Sequence, residues 1–229
     1  MESRLDSFIL ANLSGSVVSV TGSGGKTSLI LLLSRAASAA GRSVLITTTT
    51  KLSSPAVFDY GSDRLFADGT QPPLPPRRGS IDFYALPFSQ TKVCAPDVRI
   101  IEQLAPSYDL VLIEADGARG LPLKLHRAFE PVVPAFTTDT IAVAGIRDFG
   151  KRATEESFFN LPQDWRGRVI DKELIARLVS HPMGLLKNSS GRTMILLNQS
   201  DAADFGKDRP ESLFPGMVCG SVRENRIEK

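Results

Sequence analysis

The chain has 229 residues, 42% of them hydrophobic, which is enough to bury a sizeable core and favours one domain spanning residues 1–229. Its 27 basic and 25 acidic residues leave a net charge of +2, so there is no broad basic field and no nucleic-acid partner is expected. Two distant cysteines, Cys94 and Cys219, fit a reducing cytoplasm rather than a disulfide framework or metal knuckle. No apolar run approaches the ~18 residues that span a bilayer, and residues 8–13 are too short for a signal peptide, so a cytoplasmic protein without a membrane partner is expected.

In chain order, residues 7–13 read as a short amphipathic helix, and Val17, Val18 and Val20 as a β-branched strand that breaks into a glycine loop beginning at Gly22. A helix over 29–40 follows, then a second strand over 43–48, the order of a parallel right-handed crossover. The pattern weakens from 53 to 80, and the proline-rich run 71–78 reads as an exposed loop. Strands are expected at 81–86, 108–113, 140–146, 193–197 and 217–222, with helices at 97–104 and 172–180. The fold class is therefore α/β: a doubly wound, mostly parallel sheet of the P-loop NTPase-like kind.

The loop VTGSGGKTS is the centre of the functional reading. Gly22, Gly24 and Gly25 allow positive φ, so that backbone N–H groups can turn towards an anion at a helix N-terminus. Ser23 and Ser28 flank that cradle, Lys26 is placed to neutralise β and γ oxygens, and Thr27 offers a hydroxyl for Mg²⁺. The first glycine of G-x-x-x-x-G-K-[ST] is missing, since Val20 stands there, and the shorter loop resembles that of the Mur ligases. A dinucleotide loop would need glycine at Thr27 and an acid where residues 47–51 read TTTTK.

Glu114 ends a buried strand and is the expected second metal ligand. Asp116 is a candidate to orient a nucleophile, Gly117 to sense the γ-phosphate, and Arg119 and Lys124 to neutralise phosphoryl charge. Thr49 and Lys51 leave the second strand at the same sheet edge. The stretch NQSD approximates a guanine reader, with Asn198 fixing the ring and Asp201 accepting from guanine; a carboxylate there leaves adenine unmatched. His126 and His181 lack an acidic or cysteine partner at nearby spacing and read as structural. The expected cofactors are Mg²⁺ and a nucleoside triphosphate, GTP or ATP.

With these motifs in place, the chain resembles the YqeC family of selenium-dependent hydroxylase accessory proteins. The resemblance runs nearly end to end, through VTGSGGKTS, LITTTTK, LIEADGARGLPLKLHRAFEPVVP, GIRDFGK, HPMG and LLNQSD. It implies a cytoplasmic, NTPase-like protein serving maturation of selenium-dependent molybdenum hydroxylases. Leu125-His126, Phe158-Phe159-Asn160 and Gln199 depart from the pattern expected of that family. Three activities stay open at this point: nucleotide hydrolysis, small-molecule phosphorylation, and nucleotide-gated binding without turnover.

Overall fold

In the computed structural model, residues 4–205 and 216–228 are described. Nine strands make the main sheet: β1 (Val17–Gly22), β2 (Val44–Thr48), β3 (Arg64–Phe66), β4 (Ile81–Tyr84) and β5 (Leu110–Glu114), followed by β6 (Asp139–Gly145), β7 (Arg192–Asn198), β8 (Met217–Ser221) and β9 (Arg226–Ile227). Their spatial order is β9-β8-β7-β6-β1-β5-β2-β4-β3. Every neighbouring pair is parallel except β8 with β9. Helices α1 (Leu5–Ala11), α2 (Lys26–Ala39), α3 (Val98–Leu104) and α4 (Lys172–Ser180) complete the main elements.

Alternation along the strands sends successive side chains to opposite faces, and both faces are covered. Val18, Val20, Ile141 and Val143 meet Leu29 and Leu33 of α2 and Leu5 and Ile9 of α1. On the other face Val17, Leu45, Val111 and Ile113 pack with Ile101 and Leu104 of α3, while Ala142, Ala144, Ile195 and Leu197 lie with Leu174, Ile175 and Leu178 of α4. The sheet is therefore doubly wound, as expected from the sequence.

The parallel register brings one set of strand ends together. Val20 and Thr48 both lie level with Glu114, Gly22 lies beside Val143, and Gly145 beside Asn198. After β1 the chain builds one wing of the sheet, returns to β1 as β5, then builds the other wing from β6. Ligands of open parallel sheets sit outside the carboxyl ends of the strands at such a reversal.

Three features differ from the sequence expectation. The strand expected at 81–86 ends at Tyr84, and Leu86–Ser89 instead pairs with Lys92–Cys94, which also pairs with Leu52–Ser53 to form a separate small sheet. Edge strand β3 lies in the segment without a readable pattern; Arg64 holds it by donating to both oxygens of buried Asp82 at 2.7 and 2.6 Å. Tyr108 adds a 2.6 Å bond to the same carboxylate. Finally, β9 extends the sheet past the expected last strand. These pieces are two to four residues long and partly exposed, so they carry no hydrophobic period to read.

Candidate functional site

Residues 22–25 leave the central strand and enter α2. Gly22, Gly24 and Gly25 have φ of 89°, 80° and 124°, the left-handed region that glycine enters freely. A side chain at Gly24 would collide with the backbone of Gly145, and one at Gly25 with the Asn198 amide. Ser23 fixes the loop from below, donating its amide to Val143 O and its hydroxyl to Pro122 O, both at 2.8 Å. Asn198 Nδ2 donates to Gly24 O at 2.8 Å, and its carbonyl accepts from Val222 N at 2.8 Å. No side chain caps α2, so its first N–H groups and positive dipole end remain available to an anion.

Lys26 and Thr27 turn towards β5. Thr27 Oγ1 donates to Glu114 Oε2 at 2.8 Å. Lys26 Nζ donates to Gly22 O at 2.9 Å and lies 3.2 Å from Asp116 Oδ1 and 3.7 Å from Glu114 Oε1. Burial by itself would lower the Lys26 pKa, but the charges of Asp116 and then Glu114 reverse that, and the ammonium is held above its ordinary value. Burial raises Glu114, and Lys26 and Thr27 offset only part of this, so its carboxyl sits above the usual range.

Asp116 is placed differently from the sequence expectation. Fully buried behind the loop, it accepts from Gly22 N at 3.1 Å and from Lys124 Nζ at 2.9 Å. His126 Nδ1 comes within 3.0 Å of the same oxygen, out of line for a hydrogen bond. Burial acts to raise the Asp116 pKa, but Lys26, the approach of His126 and Lys124 outweigh it and hold the carboxyl well below its usual range. Lys124 is itself buried, donating also to Gly117 O at 2.6 Å and Glu130 Oε2 at 3.1 Å. Asp116 and Lys124 thus form a clamp beneath the glycine loop, and neither lines a cavity beside it, where the expected roles in orienting a nucleophile and neutralising phosphoryl charge would place them. His126, read as having no acidic partner nearby, has one in Asp116. The signal was the period-two run Leu123-Lys124-Leu125-His126, which sends both basic residues to one side; its target could not be read from spacing.

Two cavities flank the loop and share Gly25, Ser28 and Gln199. The first, about 530 Å³, lies towards β7 and is lined by Leu31, Leu32, Arg35, Asn198, Asp201 and Val222 among others. The second, about 490 Å³, lies towards β5 and includes Lys26, Thr27, Glu114, Gly117, Arg119 and Lys51. Most of the expected site residues therefore converge on one edge, with Asp201 in the first cavity. Thr49 does not line either; its hydroxyl donates to Val132 O at 2.6 Å. Lys92, Phe58 and Tyr60 also face the second cavity and went unnoticed because they belong to the segments without a legible period.

A profile of the family described as YqeC protein matches residues 18–162, from β1 through Phe158-Phe159. The chain belongs to the YqeC family. The uncharacterized protein YqeC of Escherichia coli (strain K12) is 36% identical over 185 residues, covering 75% of this chain and 70% of that protein. No solved structure matches the chain. The YqeC match takes in the glycine loop, Lys51, Lys92 and the Glu114 to His126 segment, while Asn198 and Asp201 lie beyond it. No described helix is long and apolar enough to cross a membrane.

Proposed function

We propose that this YqeC-family protein binds a Mg²⁺–nucleoside triphosphate across residues 22–28 and uses its phosphoanhydride in an NTPase-like reaction. The observation that carries this reading is the 2.8 Å bond from Thr27 Oγ1 to Glu114, made beside the uncapped start of α2 with Lys26 at the same carboxylate. Hydroxyl and carboxylate are hard oxygen donors suited to Mg²⁺. Among the described residues no group of three or more His, Cys, Asp or Glu is placed to hold a metal. An ion here would accordingly draw other ligands from phosphate and water, as Mg²⁺ commonly does. When bound, it would neutralise charge on the β and γ oxygens.

Lys26 would exchange its carboxylate contacts for phosphate oxygens, and the N–H groups of residues 24–27 would face the same anion. The clamp of Asp116 and Lys124 keeps the loop in register while that exchange occurs. The base is assigned to the first cavity, where Asp201 favours guanine. Asn198 holds Gly24 and Val222, so its contribution is to the loop before it is to a base. A client among selenium-dependent molybdenum hydroxylases, and a cytoplasmic setting, rest on the sequence resemblance alone.

The test is a thermal-shift panel of GTP, ATP and CTP with Mg²⁺ on the wild type, Lys26→Ala and Asp201→Ala. A ligand at one hundred times its Kd adds about 2.7 kcal/mol of stability, an easily measured shift. The expected result is stabilisation of the wild type, its loss in Lys26→Ala, and erosion of any GTP preference in Asp201→Ala. If no nucleotide at millimolar concentration stabilises the wild type, the reading fails; equal shifts with ATP and GTP would remove the assignment of Asp201.

A further inference from the structure

The second cavity is more basic than a nucleotide alone requires. Lys26 is already matched by Glu114 and Asp116, whereas Lys51, Lys92 and Arg119 have no carboxylate partner among the described residues and line the same space. Lys51 lies over the Phe88 ring at 3.6 Å, Arg119 over Phe159 at 5.6 Å, and Lys92 Nζ reaches Ser53 Oγ at 3.5 Å. Ring faces and a hydroxyl hold these cations in place without cancelling their charge. A metal-bound triphosphate has lost much of its own charge to the ion, so three further cations leave room for a second anion.

The walls give the same result. Lys51 leads into the small separate sheet, which carries Ser53, Phe88 and Lys92. Gly117 to Leu121 line the same cavity. Tyr60, which also lines the cavity, stacks on Phe83 at 4.2 Å, meets Phe58 edge-on at 4.8 Å and donates to Ser53 O at 2.9 Å. This sheet is anchored to the main core by Leu52 and Val93, and its outer residues Ser53 and Lys92 line the space beside Lys26 and Thr27, which gives it a use as the outer wall of a compartment.

We infer that this compartment is an acceptor subsite for a small oxyanion, a carboxylate or phosphate group, held by Lys51, Lys92 and Arg119 opposite the γ-phosphate. The inference rests on the proposed nucleotide site. It also accounts for the missing general base: Asp116 lies behind the loop, and Glu114 is bound to Thr27 and paired with Lys26. An ionised oxygen needs none. It attacks the γ-phosphorus, forming one O–P bond, while the bond from that phosphorus to the β,γ-bridging oxygen breaks. Its electron pair leaves on the nucleoside diphosphate, and no proton changes hands.

The experiment titrates inorganic phosphate and succinate separately into the full chain saturated with Mg²⁺ and nucleoside diphosphate, following thermal midpoint. Wild type, Lys92→Gln and Lys92→Glu are compared; the position is exposed on a short strand, and unliganded midpoints report folding. The expected result is an added shift from at least one anion, with half-saturation weakened about tenfold or more in Lys92→Glu, less in Lys92→Gln, and an unchanged nucleotide shift. Phosphate or succinate acting alone identifies which oxyanion is taken. A normal nucleotide shift with no anion effect, or with one that Lys92→Glu leaves untouched, overturns the acceptor subsite and spares the nucleotide site. Absence of the nucleotide shift itself overturns both.

Discussion

Glu114 is the residue whose protonation should be visible in ligand binding. Its carboxyl is held above the ordinary range by burial, and only the ionised form can serve as a metal ligand. Mg²⁺–nucleotide affinity should therefore be full above that raised value and fall as pH drops through it. Glu114→Gln is expected to lose both the Mg²⁺ requirement and this pH dependence, measured by titration of nucleotide with and without Mg²⁺ at several pH values. An unchanged pH profile in the variant would assign the titration elsewhere. Glu114 was legible in the sequence because an acid ending a buried apolar strand has few structural uses. Lys124 was not, since an equally spaced lysine can point to solvent or inward, and only the turn between Gly117 and Leu123 decides.

At the scale of elements, the glycine loop and α2 act as one piece. The sequence displayed both, because three glycines before a lysine and a long helix-forming run leave few alternatives. Gly24→Ala tests how tightly that piece is seated: the site needs φ near 80° and lies against the Gly145 backbone. Strained backbone of this kind costs on the order of 1–3 kcal/mol, and the clash adds to it. The expected outcome is a lower urea midpoint together with loss of nucleotide-dependent stabilisation. Retention of the full nucleotide shift would mean that the loop's shape is not what recognises phosphate. The small sheet is the contrasting case. Its strands of two to four residues pair through backbone, and Phe88 and Lys92 remain largely exposed, so no periodic signature marked them as part of a wall.

For the whole molecule, parallel topology made the site partly readable. If β1, β2, β5 and β7 run the same way, the groups following them must share an edge, and Gly22, Thr48, Glu114 and Asn198 do. What strand order could not disclose is how the layers beneath that edge are tied. Asp116 joins Gly22 of the loop to Lys124, and through it to Glu130. Asp116→Ala would leave Lys124 buried beside one remaining acid, and breaking such a pair costs about 3–5 kcal/mol. Because the folded-state pKa is depressed, this contribution is present above the ordinary carboxylate pKa and disappears as pH falls through the lower native value. Urea unfolding of wild type and Asp116→Ala at neutral pH and in acid should show the gap closing at the acid end; a gap independent of pH would point to packing instead.

The contact from Lys26 to Gly22 O closes the loop upon itself. With Glu114 and Asp116 also at its ammonium, the lysine would act, in the proposed nucleotide site, as a latch that a phosphate has to lift. Nucleotide capture as proposed would be an exchange of partners, its speed set by how often the latch opens once ligand is abundant. The observed association rate should then level off with concentration instead of rising without bound.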